Sequence, residues 1–489
     1  MSRLLVSATR RSSGKTTLSI GLCAALRRRG LAVQPFKKGP DYIDPLWLTL
    51  AAGRACRNLD PRLSDWDEIE SSFLRHAGAA DVAVVEGSLG LHDGSADDGS
   101  DSNAALACRL DLPVVLVLDA RGTGRGIAPL VLGYQAFEPR ARIAGVVLNR
   151  VGGARHESRL RQALERYTDI PVLGALGDDR RLTIVERHLG LVPSNEADEA
   201  AQVVATLGEA VAEGVDLDAL LQAARAPAPG RSAAANVAVA APSDRGTSLR
   251  IGIARDEAFA FYYPDDLEAL ERAGAQLVSI DTLRDGELPE LHGLFIGGGF
   301  PEALAARLAA NASLRHALRA RIEAGLPVYA ECGGLMYLAR SITWNGVRHE
   351  MVGALPADVV MHDRAVGRGY VTLEETSAFP WPGTAPARVH AHEFHHSRLV
   401  DADPGLRYAY RVLRGYGIDG KRDGIVHRNV LASYAHLRSV GGNQWPARFV
   451  EFVRNVTGRP RAARAAASAS RRGAAMARTA TVPATTEAA

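Results

Sequence analysis

The sequence predicts an α/β protein of two dissimilar domains, the first a doubly wound parallel sheet. Three observations predict this. Over the first half, near-continuous apolar, β-branched runs alternate with helical stretches, the pattern of strands buried on both faces between crossover helices. A Pro/Ala/Ser/Gly-rich stretch without periodicity then interrupts that rhythm. A second strand–helix rhythm follows with different motifs and no internal repeat.

The elements support this reading in order. LLVSA is the first strand, and the segment Thr17–Arg29 after it has helical spacing. DVAVVE, LPVVLVLDA and ARIAGVVLN are further buried strands, and Arg155–Arg166 is an amphipathic helix. These make up a first domain over 1–225. Residues 226–248 read as an interdomain linker. LRIGIARD, GLFIGGGFPE, LPVYAECGG and VLASYAHL supply the strands of a second domain over 249–456. Residues 457–489, rich in Ala, Arg, Ser and Thr, are expected to be a disordered tail.

Composition narrows the function classes. The chain has 489 residues, 47% hydrophobic and 23% charged, as an ordinary globular enzyme does. Its net charge of +3 does not indicate nucleic acid. Six arginines against one glutamate follow Gly458, so the part expected to fold is slightly acidic. No apolar run is long enough to span a bilayer, and the N-terminus lacks the layout of a signal peptide. The expected location is the cytoplasm, with neither membrane nor specific nucleic acid as partner. Cys23, Cys56, Cys108 and Cys332 lie far apart without a CxxC pair, which argues against zinc and disulfides.

Two motifs carry chemistry. The first is Ser13-Gly14-Lys15-Thr16-Thr17, at the turn from the first strand into a helix. Loop and helix amides there face an anion, lysine reaches the outer phosphates and a threonine hydroxyl coordinates magnesium. The usual loop has glycine five residues before Gly14, where this chain has Thr9. Lys37 and the acidic residues Asp41, Asp44, Glu86 and Asp93 follow strand ends nearby, where a magnesium–phosphate site is built in such sheets.

VQPFKKGPDYIDP, GRACRNLDP, VVEGSLGLHDG, VVLNRVG and ERHLGLVPSNE together resemble the cobyrinic acid a,c-diamide synthase family, in order, from residue 1 to about 456. The departures are small: Lys38 stands where a small or apolar residue is common, and SLGLHDG replaces MGLYDG. The resemblance implies a first domain similar to dethiobiotin synthetase, with ATP as co-substrate and Mg2+ as cofactor. It implies ATP contacts at Ser13, Gly14, Lys15, Thr16, Thr17, Lys37 and Asn149. It implies metal contacts at Thr16, Asp41, Asp44 and Glu86, and substrate contacts at Asp93 and His395.

The second motif is Cys332, after a buried strand and before Gly333-Gly334 and a helix. This strand–turn–helix elbow exposes a nucleophile, and the helix start lowers a thiol's pKa. Gly298 and Gly299, from an upstream glycine turn, and Gly333 are candidate oxyanion donors. His390, His392, His395, His396, His427 and His436 are candidate bases. His436, at the end of VLASYAHL, has the order and spacing of triad (class I) glutamine amidotransferases, which this domain resembles. Many of those carry glutamate two residues later, where this chain has Arg438. A Cys332–His436 dyad is therefore expected.

A phosphate site and a glutaminase in one chain suit amide synthesis. A carboxylate must be activated as an acyl phosphate before ammonia can attack it, and glutamine supplies the ammonia. The resemblance implies amidation of the a and c acetates of cobyrinic acid, in cobalamin biosynthesis. Hydrogenobyrinic acid, Ni-sirohydrochlorin and the cobyric acid synthase reaction are the related alternatives. A partitioning-type regulatory ATPase is the alternative of another class. A homodimer is an open assembly state.

Overall fold

A computed structural model describes residues 2–187, 190–196, 199–225, 249–384 and 388–458. The expected linker 226–248, most of the expected tail and two residues of the ERHLGL motif lie outside them. Among the described residues no helix is long and apolar enough to cross a membrane.

The first sheet has seven parallel strands, in the order Arg57–Leu59, Val33–Lys38, Val82–Glu86, Ser2–Ala8, Val114–Asp119, Ile143–Val151, Val172–Gly177. Alternate residues of one strand feed two cores: Leu4, Val6 and Ala8 pack to one face and Leu5 to the other. That explains the near-continuous apolar runs. Helices Lys15–Arg28, Ile43–Ala52 and Ala200–Gly214 cover the first face. Trp66–Ala77, Asn103–Leu110, Ile127–Phe137 and Ala154–Tyr167 cover the second.

Helix Lys15–Arg28 differs from an ordinary surface helix: it is buried all along Leu18–Leu26, because Ala200–Gly214 packs over it. Small residues make the contact. A Cβ on Gly21 would meet Val211 Cγ2 at 2.4 Å, and one on Gly208 would meet Ala24 Cβ at 2.9 Å. The phosphate loop therefore precedes a helix clamped on two sides.

The second sheet has nine strands. Ala275–Ile280, Leu249–Ala254, Gly293–Ile296, Val328–Glu331 and Val430–Ser433 run parallel in that order. Arg422–His427, Arg407–Arg414, Gly367–Glu375 and Val389–His395 extend it antiparallel. One face packs on helices Ala305–Ala310, Ala312–Glu323 and Gly333–Leu338; the other packs on Pro264–Arg272 and Trp445–Thr457.

The two sheets' units meet through polar contacts. Arg57 donates to Asp265 at 2.7 Å and also pairs with Glu268. The Tyr370 hydroxyl donates to Asp60 at 3.0 Å, and Asn195 Nδ2 donates to the Asp256 carbonyl at 2.9 Å. These contacts set the strand ends of one unit against those of the other.

Candidate active site

The phosphate loop is shaped by one glycine. Gly14 has φ +98°, and a Cβ there would lie 2.0 Å from Asn149 Nδ2. Asn149 in turn donates to the Ser13 carbonyl at 2.8 Å, so it braces the loop from strand Ile143–Val151, two places away in the sheet. Ser13 hydrogen-bonds the Arg10 carbonyl at 3.0 Å. Gly14, Lys15, Thr16, Thr17 and Asn149 line a cavity of about 370 Å³ with Asp178, Asp179 and Thr183. Burial, then the neighbouring Lys37 charge, pull the Lys15 ammonium down to about 8. An anion in the cavity would reverse that.

Of the four expected metal residues, three converge. The Thr16 hydroxyl lies 2.7 Å from Glu86 Oε1 and 3.4 Å from Asp44 Oδ2. Glu86 is fully buried, and its Oε2 has no hydrogen-bond partner. Burial pushes its carboxyl up to about 7, against the pull of Lys37. Three hard oxygens, one of them orphaned, fit a magnesium ion that takes its remaining ligands from phosphates and water. No group of three or more His, Cys, Asp or Glu among the described residues could hold a metal by itself, so the phosphates would be needed.

The other expectations shift. Asp41 has no hydrogen bond to Thr16: its Oδ1 accepts from the Ile43 and Asp44 amides at 2.9 and 3.2 Å, its Oδ2 lies 4.0 Å from Lys37 Nζ, and it lines the cleft between the units. Burial and then Asp44 raise its carboxyl to about 6. Lys37 does not line the nucleotide cavity. Its Nζ sits at 2.5 Å from Asp44 and 2.9 Å from Glu86, holding two carboxylates together. Asp93 is exposed, does not line the cleft, and accepts from the Gly90 amide at 3.1 Å. It shapes the loop after strand Val82–Glu86.

The cysteine elbow forms as expected. Cys332 has φ 46° and ψ −99°, a strained conformation at the start of helix Gly333–Leu338. The strain is held because Gly334 packs on the Ile296 carbonyl, where a Cβ would come within 2.3 Å. Gly333 abuts Gly299: a Cβ on it would lie 3.0 Å from the Gly299 amide nitrogen. The helix-start amides and the glycine turn thus flank the thiol. Gly298 faces His436 instead, since a Cβ there would lie 2.6 Å from His436 Cε1.

The thiol's neighbours are the Phe394 carbonyl at 3.9 Å and the His436 ring. The expected dyad is corrected here. His436 Nδ1 lies 3.2 Å from Oε2 of Glu331, the residue just before Cys332. Glu331 Oε1 accepts from the Tyr329 hydroxyl at 2.5 Å and the Leu437 amide at 2.9 Å. An ionised carboxylate only accepts, so Nδ1 carries its proton and Nε2 is left for the thiol. Burial alone would lower the imidazole's pKa, but hydrogen bonds to Cys332 and Glu331 outweigh it and push it up to about 10. The sequence hint was available: in LPVYAECGG, alternation puts Tyr329 and Glu331 on one side of the strand.

A cleft of about 430 Å³ lies between the units and shares Asp44 and Leu191 with the cavity beside Lys15. Cys332, His436, Glu302, Phe394 and His395 line its glutaminase side; Lys38, Asp41, Asp44 and Ser88 line its nucleotide side. Arg11, Lys38 and Arg368 bring positive charge to it. His395 stacks on Tyr434 at 3.8 Å, with Nδ1 at 3.0 Å from the Ser397 carbonyl. Sequence reasoning missed Tyr42, whose ring lies 5.1 Å from that of His436.

Comparisons with known proteins agree with both halves. The description "CobQ/CobB/MinD/ParA nucleotide binding domain" matches residues 4–192, and "CobB/CobQ-like glutamine amidotransferase domain" matches residues 250–443. A cobyrinate a,c-diamide synthase of Magnetococcus marinus is 47% identical over 454 residues, covering 92% of this chain and 97% of that one. The protein of the same name from Methanosarcina acetivorans is 41% identical over 488 residues, covering 95% and 97%. That from Listeria innocua is 39% identical over 442 residues, covering 89% and 96%.

Proposed function

The chain belongs to the cobyrinate a,c-diamide synthase family, and on that premise we propose that it amidates the a and c acetate carboxylates of cobyrinic acid with ATP and glutamine. The supporting observation is that the cavity around Gly14, Lys15 and Thr16 and the cleft that holds Cys332 and His436 share Asp44 and Leu191 in their walls. Residues 1–225 act as the ATP-dependent ligase domain and 249–456 as the glutaminase domain, in the cytoplasm.

On the glutaminase side, the Cys332 thiolate attacks the side-chain amide carbon of glutamine. The Gly299 and Gly333 amides face the developing oxyanion. His436, protonated and held by Glu331, gives its proton to the departing nitrogen, and ammonia leaves. It then takes a proton from water, which hydrolyses the thioester to glutamate and frees the thiolate.

On the ligase side, a substrate carboxylate oxygen attacks the γ-phosphorus of ATP, and ADP leaves. Lys15 and the loop amides offset the charge on the transferring group. Thr16, Asp44 and Glu86 would hold a magnesium ion, which supplies further charge neutralisation at the phosphates. Ammonia attacks the acyl carbon, phosphate leaves, and the amide remains. Arg11, Lys38 and Arg368 in the cleft suit a substrate with many carboxylates.

Mass spectrometry of products tests this, with ATP, magnesium and glutamine and either cobyrinic or hydrogenobyrinic acid. Two amides per cobyrinic acid are expected. Four amides would make the enzyme a cobyric acid synthase, and none would sink the ligase reading.

A further inference from the structure

Arg438 stands where many related glutaminases carry a catalytic acid, yet it points away from the thiol chemistry. It belongs to the glutaminase unit but is almost fully buried against the ligase unit. Its Nη2 donates to the Asn58 carbonyl at 2.5 Å. Asn58 lies on ligase strand Arg57–Leu59, and its Nδ2 donates to the Gly39 and Asp41 carbonyls at 2.8 and 2.7 Å. Arg438 therefore grips, through one side chain, the loop that carries Asp41 and leads to Asp44.

The same loop reaches back to the base. Tyr42, between those two aspartates, lies 4.4 Å from the Tyr263 ring and 5.1 Å from the His436 ring. The Arg438 guanidinium lies over Tyr263, 5.0 Å from its centroid. The contacts close a ring: His436, Tyr42, Tyr263, Arg438, Asn58 and the loop. One side of it is rigid, because Glu331 holds both His436 Nδ1 and the Leu437 amide. Arg438 Nε and Nη1 have no hydrogen-bond partner despite burial. Its Nη2 also lies 3.5 Å from Asp265 Oδ2, which pairs the guanidinium within its own unit.

We propose that Arg438 is a positioning residue that couples the state of the ligase loop to glutamine hydrolysis. A shift of loop Gly39–Asp44 with bound substrate is carried through Asn58 and Arg438, and through the Tyr42 ring, to His436. Glutamine is then hydrolysed when a carboxylate is ready for ammonia, and little ammonia is wasted. The inference rests on the proposed amidoligase function.

The test uses the full chain and counts glutamate released per amide formed, with glutamine or ammonium chloride as nitrogen source. Wild type should form amide from either source; formation from neither would refute the function itself and be seen before any variant is compared. Arg438→Met and Arg438→Lys should keep the ammonia-driven rate within about twofold, while the glutamate-to-amide ratio rises about 5-fold or more, the low end of usual coupling strengths. KM for glutamine should change little. Asn58→Ala cuts the same relay from the ligase side and should give the same rise, which decides the matter if the Arg438 variants fold poorly. Asn195→Ala removes a separate contact between the units, to the Asp256 carbonyl, and should leave the ratio near wild type. An unchanged ratio in the Arg438 and Asn58 variants would overturn the proposal. So would a parallel fall of the ammonia- and glutamine-driven rates, or an equal rise in Asn195→Ala, since each would mark a purely structural contact.

Discussion

Replacing Glu331 by Gln isolates the carboxylate behind the base while keeping its shape. The two groups are 3.2 Å apart and both buried. At an effective dielectric of about 20, unit charges at that distance attract by about 5 kcal/mol. Desolvation cancels part of this, and a net loss of about 3 kcal/mol is in line with breaking buried charged pairs. That alone slows the step about 100-fold. The amide adds a second effect. Leu437 N–H can only donate to position Oε1, so the amide oxygen stays there and the NH2 turns to His436. Nδ1 must then accept, Nε2 carries the proton, and the ring cannot take one from the thiol. Wrong-tautomer defects of this kind reach about 10^4-fold. The expected fall in glutamine-driven kcat/KM is therefore about 10^2- to 10^4-fold, read from glutamate release. Ammonia-driven amidation should stay within about twofold, because the ligase residues are untouched. The pH profile gives an independent reading. The imidazole's pKa is raised to about 10, above the ordinary value of 6.5. The imidazolium pair is therefore complete below about 6.5 and is lost as pH rises through about 10. In Glu331→Gln the alkaline limb should move to lower pH. A kcat/KM within threefold of wild type, with an unmoved alkaline limb, would refute the role given to Glu331.

Other variants separate the two sites. Cys332→Ser should lose glutamine use yet make amide from ammonium chloride; retained glutamine-dependent product would dismiss the nucleophile. Lys15→Ala should abolish amide formation from both nitrogen sources while basal glutamate release persists, as measured by product mass spectrometry and glutamate assay. Gly298→Ala puts a methyl 2.6 Å from His436 Cε1. The ring must move, and a displacement near 1 Å costs about 100-fold in rate. The loss should fall on glutamine-driven turnover alone.

Much of this protein was legible locally. The buried parallel strands follow from β-branched runs, and both functional turns follow from glycines at strand-to-helix junctions. Cys332 and Lys15 were readable because backbone geometry at such a turn is decided within a few residues. Asn149 was named only through the family resemblance: it meets Gly14 from strand Ile143–Val151, two places away from Ser2–Ala8 in the sheet. Asp44 and Glu86 were also named, but the sequence could not rank them against Asp41 and Asp93. Which carboxylate meets Thr16 depends on loop paths. Two amides claim Asp41 and one claims Asp93.

The carboxylate beside His436 shows the limit most clearly. Sequence order suggested a position two residues after His436, found Arg438 there, and so pointed to a dyad. The carboxylate that meets His436 is Glu331, 105 residues earlier. Strand Val328–Glu331 pairs in parallel with Val430–Ser433, Glu331 opposite Ser433, so the chain leaving Ser433 brings His436 back over the carboxylate. The sequence by itself determined the strands, the helices and the two reactive turns, because those depend on short-range sterics and apolar periodicity. Only the tertiary structure decided the partners of His436 and Arg438, because strand register and domain docking bring together residues that no local spacing relates.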